Sequence, residues 1–346
     1  MSRYNQLRDS ESMANYCTTS ATITEQKEKQ NKCRFTISHR LIGVLFVLAF
    51  GLSYSFMGFI VKLNFQRNLY ISAGDVLLVR SIGMLVVYLP IAIYYKINIF
   101  NIRSTAEVML VFRCIFSALD LWCLFMAIMY LPTSVSFTIF NSNLLFVGVF
   151  GIWFIDTKIK FVNIMFTTIC LIWAILIGIS RNLKSDDNTS EIIGVSFALS
   201  AAIFRSIGNS FMHKIMQEVH WIITPIHIWV ASIFLSLLLF CFNDHQVHSE
   251  QLAEPKQFMM ISVVSILSLV CHGLLVMASK YSSESMIKLS LFITILVNFC
   301  IDKNYFEDEI YPLDVIAFLI IFSWVLWTIY KQFKRYDAFK LQVNKF

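Results

Sequence analysis

Ten stretches of roughly 18–25 apolar residues follow one another along the chain, and they restrict its fold more than any other feature. They lie near 41–63, 73–95, 106–129, 132–154 and 159–180, then near 192–214, 221–242, 257–279, 283–301 and 312–331. At ~1.5 Å per residue, a helix of this length crosses the ~30 Å hydrocarbon core of a bilayer. Helices suit such segments because each satisfies its own backbone hydrogen bonds where no water is present. Composition agrees: of 346 residues, 57% are apolar and only 14% charged, with a mean hydropathy of +0.67. Soluble domains carry ~25% charged residues, and a soluble fold of this length could not hide so much apolar surface. The expected class is an all-α polytopic membrane protein with ten transmembrane helices.

Residues 1–40 are polar and lack both hydrophobic periodicity and a signal-peptide core, so they are expected to form a disordered cytosolic tail. The first apolar run then acts as an uncleaved anchor. With the N-terminus inside, 18 Lys and Arg fall on cytosolic segments, 6 outside and 4 within helices. The positive-inside rule therefore places both termini in the cytosol, of a plasma-membrane or endomembrane protein. The acidic loop 302–309 and the sequon Asn188-Thr189-Ser190 fall outside. The net charge of +6 comes from tails and loops beside apolar runs, a topology signal rather than a nucleic-acid surface.

The eight cysteines show no C-x-x-C pair. Cys114, Cys123, Cys170, Cys241, Cys271 and Cys300 lie in or at apolar runs and read as small apolar fillers, with no disulfide or metal framework. Nothing matches a P-loop, a zinc helix or a nucleophile elbow, which argues against a pump driven by its own ATP hydrolysis and against the familiar hydrolases. An enzyme is not expected, and no cofactor or metal is.

A shift of 151 residues lays the second half of the chain on the first without a gap: IGVLFVL (42–48) falls on IGVSFAL (193–199), with five identities in seven. MAIMYLPTS (126–134) falls on MASKYSSES (277–285), Trp173 on Trp324, and Asp156 on Glu307. One constant shift across five helices marks an internal repeat. Because each unit holds an odd number of helices, the second enters the membrane from the opposite side, giving two inverted five-helix repeats. The organisation read from this is a tail (1–40), a first repeat (41–180), an extracytosolic linker (181–191), a second repeat (192–331) and a basic cytosolic tail (332–346).

Over 41–331 the chain resembles the drug/metabolite transporter superfamily with paired EamA-type repeats. The resemblance is carried by VLLVRSIGMLVVYLP (76–90), FRCIFSALDLWCLFMAIMYLPTSVSF (112–137) and TIFNSNLLFVGVFGIWFIDTKIK (138–160). Within it, these stretches look most like the G branch of the nucleotide-sugar-transporter solute carriers. That family usually carries a proline in its fourth helix and ends it in Gly-Glu; this chain has Asn143 and Ile155-Asp156 there. Thr294 stands where a ninth-helix proline is common. The family often has an arginine near the positions of Arg80 and Arg113, which implies a structural or gating use.

Ionisable side chains are costly at the bilayer centre, so those that sit there have a partner or a function. Arg80, Arg113 and Lys288 lie close enough to a helix end to snorkel to the interface, and are taken as structural or gating residues. Asp120 in the third run and Arg205 in the sixth lie near the midplane, in opposite repeats. Two readings stand: a buried ion pair, or groups facing a watery cavity that bind substrate charge. His272, Asn141 and Asn143 reach similar depth; the asparagines suit interhelical hydrogen bonds, and a histidine near neutrality could relay protons. Asp120, Asn141, Asn143, Arg205 and His272 are the candidate substrate-binding residues.

The leading expectation is secondary transport of a small organic solute by alternating access, with an organic anion such as a nucleotide sugar, phosphorylated metabolite or carboxylate favoured over an amine bound through Asp120. The alternative is a non-transporting scaffold that recruits cytosolic proteins through its N-terminal tail. The expected partners are the bilayer and a small-molecule substrate, not nucleic acid, with a homodimer left open.

Overall fold

A computed structural model of the chain describes residues 42–67, 71–99, 104–143, 190–220, 222–242, 255–281, 284–307 and 311–316, with 146–147, 150, 168, 172 and a few positions between 319 and 330. The tail 1–40, nearly all of the fifth apolar run, Asn188 and the basic tail 332–346 lie outside the described residues. Among the described residues, eight helices position the site. They are α1 (Ile42–Arg67), α2 (Ala73–Tyr94), α3 (Ser104–Tyr130), α4 (Thr133–Asn141), α5 (Ser190–Glu218), α6 (Ile223–Phe242), α7 (Pro255–Tyr281) and α8 (Glu284–Asn304).

Six of them, α1, α2, α3, α5, α6 and α7, are long and apolar enough to cross a membrane, and no strand occurs among the described residues. The protein is an α-helical membrane protein. Its helices keep large apolar side chains on the outside, among them Leu45, Phe56, Val86, Phe234 and Ile266. In water such a surface would drive aggregation, but in lipid it is the natural face.

Inside the bundle, several hydroxyls are satisfied locally. Ser55, Ser81, Thr138, Ser206, Ser236 and Ser268 each donate to the carbonyl four residues earlier, so these small polar groups enter an apolar interior without orphaned donors. At its entry α2 has a capping box: the Asp75 N–H donates to Ser72 Oγ at 3.2 Å, and Asp75 Oδ2 accepts from the Ser72 N–H at 2.8 Å. Helix α3 packs extensively against α5, and also touches α2, α4 and α6.

Two expectations about helix ends change. The fourth run is expected to span 132–154; α4 is interrupted at Ser142, a turn residue, and the described positions beyond it, Asn143, Phe146, Val147 and Phe150, are again helical. Ser142 Oγ donates to the Ile139 carbonyl at 2.6 Å and Asn143 Nδ2 to the Phe140 carbonyl at 2.7 Å, so side chains take up the acceptors of the last turn. The first and ninth runs, by contrast, extend past their expected ends. Lys62 is one of the six basic residues that the charge count puts outside, at the end of the first run, and Asp302 opens the outside loop 302–309, yet α1 runs on to Arg67 and α8 to Asn304. Both residues are buried and lie 3.8 Å apart, so the charges offset each other and neither helix has to end there.

The α1–α8 crossing is close. A Cβ on Gly51 would stand 2.7 Å from the Ser290 carbonyl oxygen, so only glycine permits this approach. Thr294 Oγ1 donates to the Gly51 carbonyl at 3.1 Å and Ser55 Oγ to the Thr294 carbonyl at 3.1 Å.

Candidate functional site

The bundle interior holds a cluster of charges that its helices bring together from distant parts of the sequence. On α3, Asp120 is fully buried; on α5, Arg205 stands with Nη1 3.4 Å from Asp120 Oδ2. The contact is long for a charge-assisted hydrogen bond. Asp120 Oδ1 has no hydrogen-bond donor among the described residues, and the Arg205 side chain remains 32% exposed. Arg205 also lies over the Phe140 ring of α4 at 5.8 Å.

Nearly two turns before Asp120, Arg113 points at α5, where its Nη1 donates to Asn209 Oδ1 at 2.9 Å. Room for that guanidinium comes from Gly208, on which a Cβ would stand 2.9 Å from the same nitrogen. Arg205 and Asn209 are four residues apart and share a face of α5, so one stripe of that helix serves both.

Arg80 of α2 is the most unusual member. It is 7% exposed and lies over the rings of Phe125 on α3 (5.6 Å) and Trp229 on α6 (5.1 Å). Its Nε and Nη1 have no acceptor among the described residues. Two cation–π contacts offset about 2 kcal/mol each at best, against a desolvation cost of several kcal/mol for a buried ion. An anion would make up the difference.

These groups share one electrostatic environment. Asp120 feels Arg205, Arg113 and Arg80; Tyr54 of α1 feels Arg205, Arg80 and Asp120; His272 of α7 feels Arg80 and Arg205. Three guanidiniums against one carboxylate give a net charge of +2 for the cluster among the described residues. His272 is partly buried and meets the Tyr88 ring edge-on at 5.5 Å.

Of the residues expected to bind substrate, Asp120, Arg205 and His272 therefore meet in this cluster. Asn143 does not present its side chain there, since that group folds back on Phe140 while the Asn143 carbonyl accepts from Ser206 Oγ at 2.8 Å. Asn141 is buried with neither side-chain polar atom partnered among the described residues. Arg80 and Arg113, expected to snorkel, instead point into the bundle, each 7% exposed. Lys288 lies on α8, with its side chain outside the described residues.

Sequence reasoning missed Tyr54, Phe125, Trp229, Gly208 and Asn209. Asn209 carried a signal, its i+4 spacing from Arg205. The aromatics carried none, because aromatic residues make up 15% of the chain and occur in every run. Among the described residues, no group of three or more His, Cys, Asp or Glu could hold a metal ion.

No family model matches the sequence, and no curated protein matches it. Among solved structures 23 chains match in fold. One, described only as the crystal structure of a protein, superposes with a TM-score of 0.51 at 12% identity, over 83% of this chain and 95% of that one. At that identity the likeness is one of fold alone.

Proposed function

We propose that this chain is a secondary transporter that carries a small organic anion across its membrane by alternating access. The observation that carries the reading is Arg80: a buried guanidinium between two aromatic rings, with two nitrogens lacking acceptors, inside a cluster of net charge +2. A carboxylate or phosphoryl oxygen is the ligand that fits it. Asp120 is already engaged by Arg205, which leaves it poorly placed to recognise an amine first.

Alternating access needs two halves that can rock, and the helix pattern supports the inverted repeat. Helix α3 starts at Ser104 and α7 at Pro255, a separation of 151, and both are 27 residues long. The same shift carries α1 onto α5 and α2 onto α6 to within three residues at either end. Several of the contacts are consistent with a two-fold axis in the membrane plane. Under the exchange of halves, α3·α6 becomes α7·α2, and both are present; α2·α6 and α4·α8 map onto themselves, and both are present. Resemblance to transporters with paired EamA repeats points the same way.

The test is uptake into proteoliposomes of purified chain against a panel of organic anions and amines. Uptake of one or more anions, with loss in Arg80→Met, is expected. Uptake of amines alone, insensitive to Arg80→Met, refutes the anion reading.

A further inference from the structure

At one end of the bundle, α1, α4 and α8 are clasped together. Asp302, with none of its side chain exposed, accepts from the Ser134 backbone N–H at 2.6 Å and lies 3.8 Å from Lys62 Nζ. Lys62 stands over the Phe306 ring at 4.7 Å. Phe59 meets Tyr305 at 4.9 Å and Phe306 at 5.5 Å, so aromatic rings gather at the same junction.

Three features separate this arrangement from ordinary packing. First, Lys62 lies five residues before the end of α1, at Arg67, or ~7–8 Å at 1.5 Å per residue, so its long stem could reach the interface. It turns inward instead and is 6% exposed. Second, Asp302 reaches across to an N–H of the first turn of α4, one of the donors that a helix start leaves without an internal partner and where negative charge is favoured. A single carboxylate thus ties two other helices to α8. Third, the arrangement is one-sided. Under the 151-residue shift Ser134 falls on Ser285, but Lys62 falls on His213 and Asp302 on Gly151, so the ion pair has no counterpart at the matching positions of the other end.

The rest of the α1–α8 contact supplies a fulcrum. Gly51 meets the Ser290 carbonyl 11 residues before Lys62, ~16 Å along the helix. A close backbone crossing at one point and a releasable ion pair far along the same helices is the geometry of a hinge and clasp. Behind the clasp, one turn earlier on the same face of α8, Asn298 is fully buried with neither side-chain polar atom partnered among the described residues. Water or solute would meet that group once the end opened.

We infer that Lys62, Asp302 and the first turn of α4 form a latch that holds this end of the protein shut, and that parting Lys62 from Asp302 opens a path to Asn298 from that side. The inference rests on the alternating-access reading, and in the topology expected from the sequence this end is extracytosolic. The contact suits a latch because it is long, and it yields without unfolding the helices it joins.

The test uses the full-length chain with its eight native cysteines replaced by alanine and Asn298→Cys as reporter, in liposomes of known orientation. A membrane-impermeant maleimide added on the latch side should label that thiol slowly. Adding Lys62→Gln or Asp302→Asn should speed labelling at least tenfold, and Lys62→Arg, which keeps the charge, should not. A second reporter, the exposed His220→Cys at the opposite end, should be unaffected by any of these changes.

Equal labelling of Asn298→Cys with and without Lys62→Gln overturns the latch; faster labelling of both reporters together also overturns it, by reducing the pair to a general clamp. Hydrogen exchange in the chain with native cysteines gives an independent reading. Lys62→Gln should speed exchange at residues 134–137 and leave the α3–α5 contact unchanged, and no change at 134–137 overturns the proposal. Flux measured in the same liposomes separates the two readings. No flux with switching labels removes transport and leaves the latch, whereas flux with unchanged labels removes the latch alone.

Discussion

Asp120 and Arg205 meet at 3.4 Å across 85 residues of sequence, and each leaves something unused: the carboxylate one oxygen without a donor, the guanidinium a third of its surface open. A pair kept only for structure would be closer and better satisfied, because removing two charges from water is repaid only when the geometry is good. Here the pair is loose enough for a second anion to compete for Arg205.

That looseness separates two variants. Arg205→Met alone strands a fully buried carboxylate and should destabilise the protein by about 3–5 kcal/mol or somewhat less, given the partial exposure of Arg205. Adding Asp120→Leu should restore much of the expression and thermal stability. The double variant should fold and fail to transport, and full flux from it would make the pair scaffold only.

Arg80 should behave in the opposite sense. Removing a buried charge whose Nε and Nη1 lack acceptors relieves a cost, so Arg80→Met should leave thermal stability unchanged or raise it. Uptake should nevertheless fall at least tenfold. Arg80→Lys should not rescue it, because a compact ammonium cannot lie flat between Phe125 and Trp229. A large loss of stability in Arg80→Met would mark the residue as structural.

Both predictions draw on residues that were legible in the sequence to different degrees. Asp120 and Arg205 were, because a charge in the middle of an apolar run is costly enough to demand a purpose. The inward turn of Arg80 was not: seven residues from a helix start, either direction satisfies hydropathy, and only Phe125 and Trp229, on two other helices, decide it. Helix positions were legible wherever runs were uninterrupted, as for α3, expected over 106–129 and found over 104–130. They were not where charge or side-chain hydrogen bonding intervened. Lys62 and Asp302 each read as the end of a run, since a lone charge cannot show that its partner waits 240 residues away on a neighbouring helix. The interruption at Ser142 goes with Ser142 and Asn143 bonding back to α4, a local competition that hydropathy does not record.

Gly208 offers a finer probe of the cluster. A methyl there would stand 2.9 Å from Arg113 Nη1, so Gly208→Ala should push the guanidinium off Asn209 while leaving every charge in place. The expected result is a KM raised several-fold with little change in thermal stability. Asn209→Ala should give a similar shift, by removing the acceptor rather than the space. Unchanged KM in both would place Arg113 outside the substrate's reach.

The α1–α8 crossing should be the least tolerant point of the fold. Gly51→Ala sets a Cβ 2.7 Å from the Ser290 carbonyl oxygen and 3.3 Å from Ile293 Cβ, and neither neighbour is the free end of a flexible chain. Relief requires the helices to separate, which weakens the hydrogen bonds Thr294 and Ser55 make across the crossing. Such overpacking costs about 1–3 kcal/mol, and a larger Gly51→Leu change should prevent folding. Thermal unfolding in detergent would show it. If Gly51→Ala were as stable as the parent, the close approach would not be a fixed point, and the hinge drawn from it would have to lie elsewhere on α1.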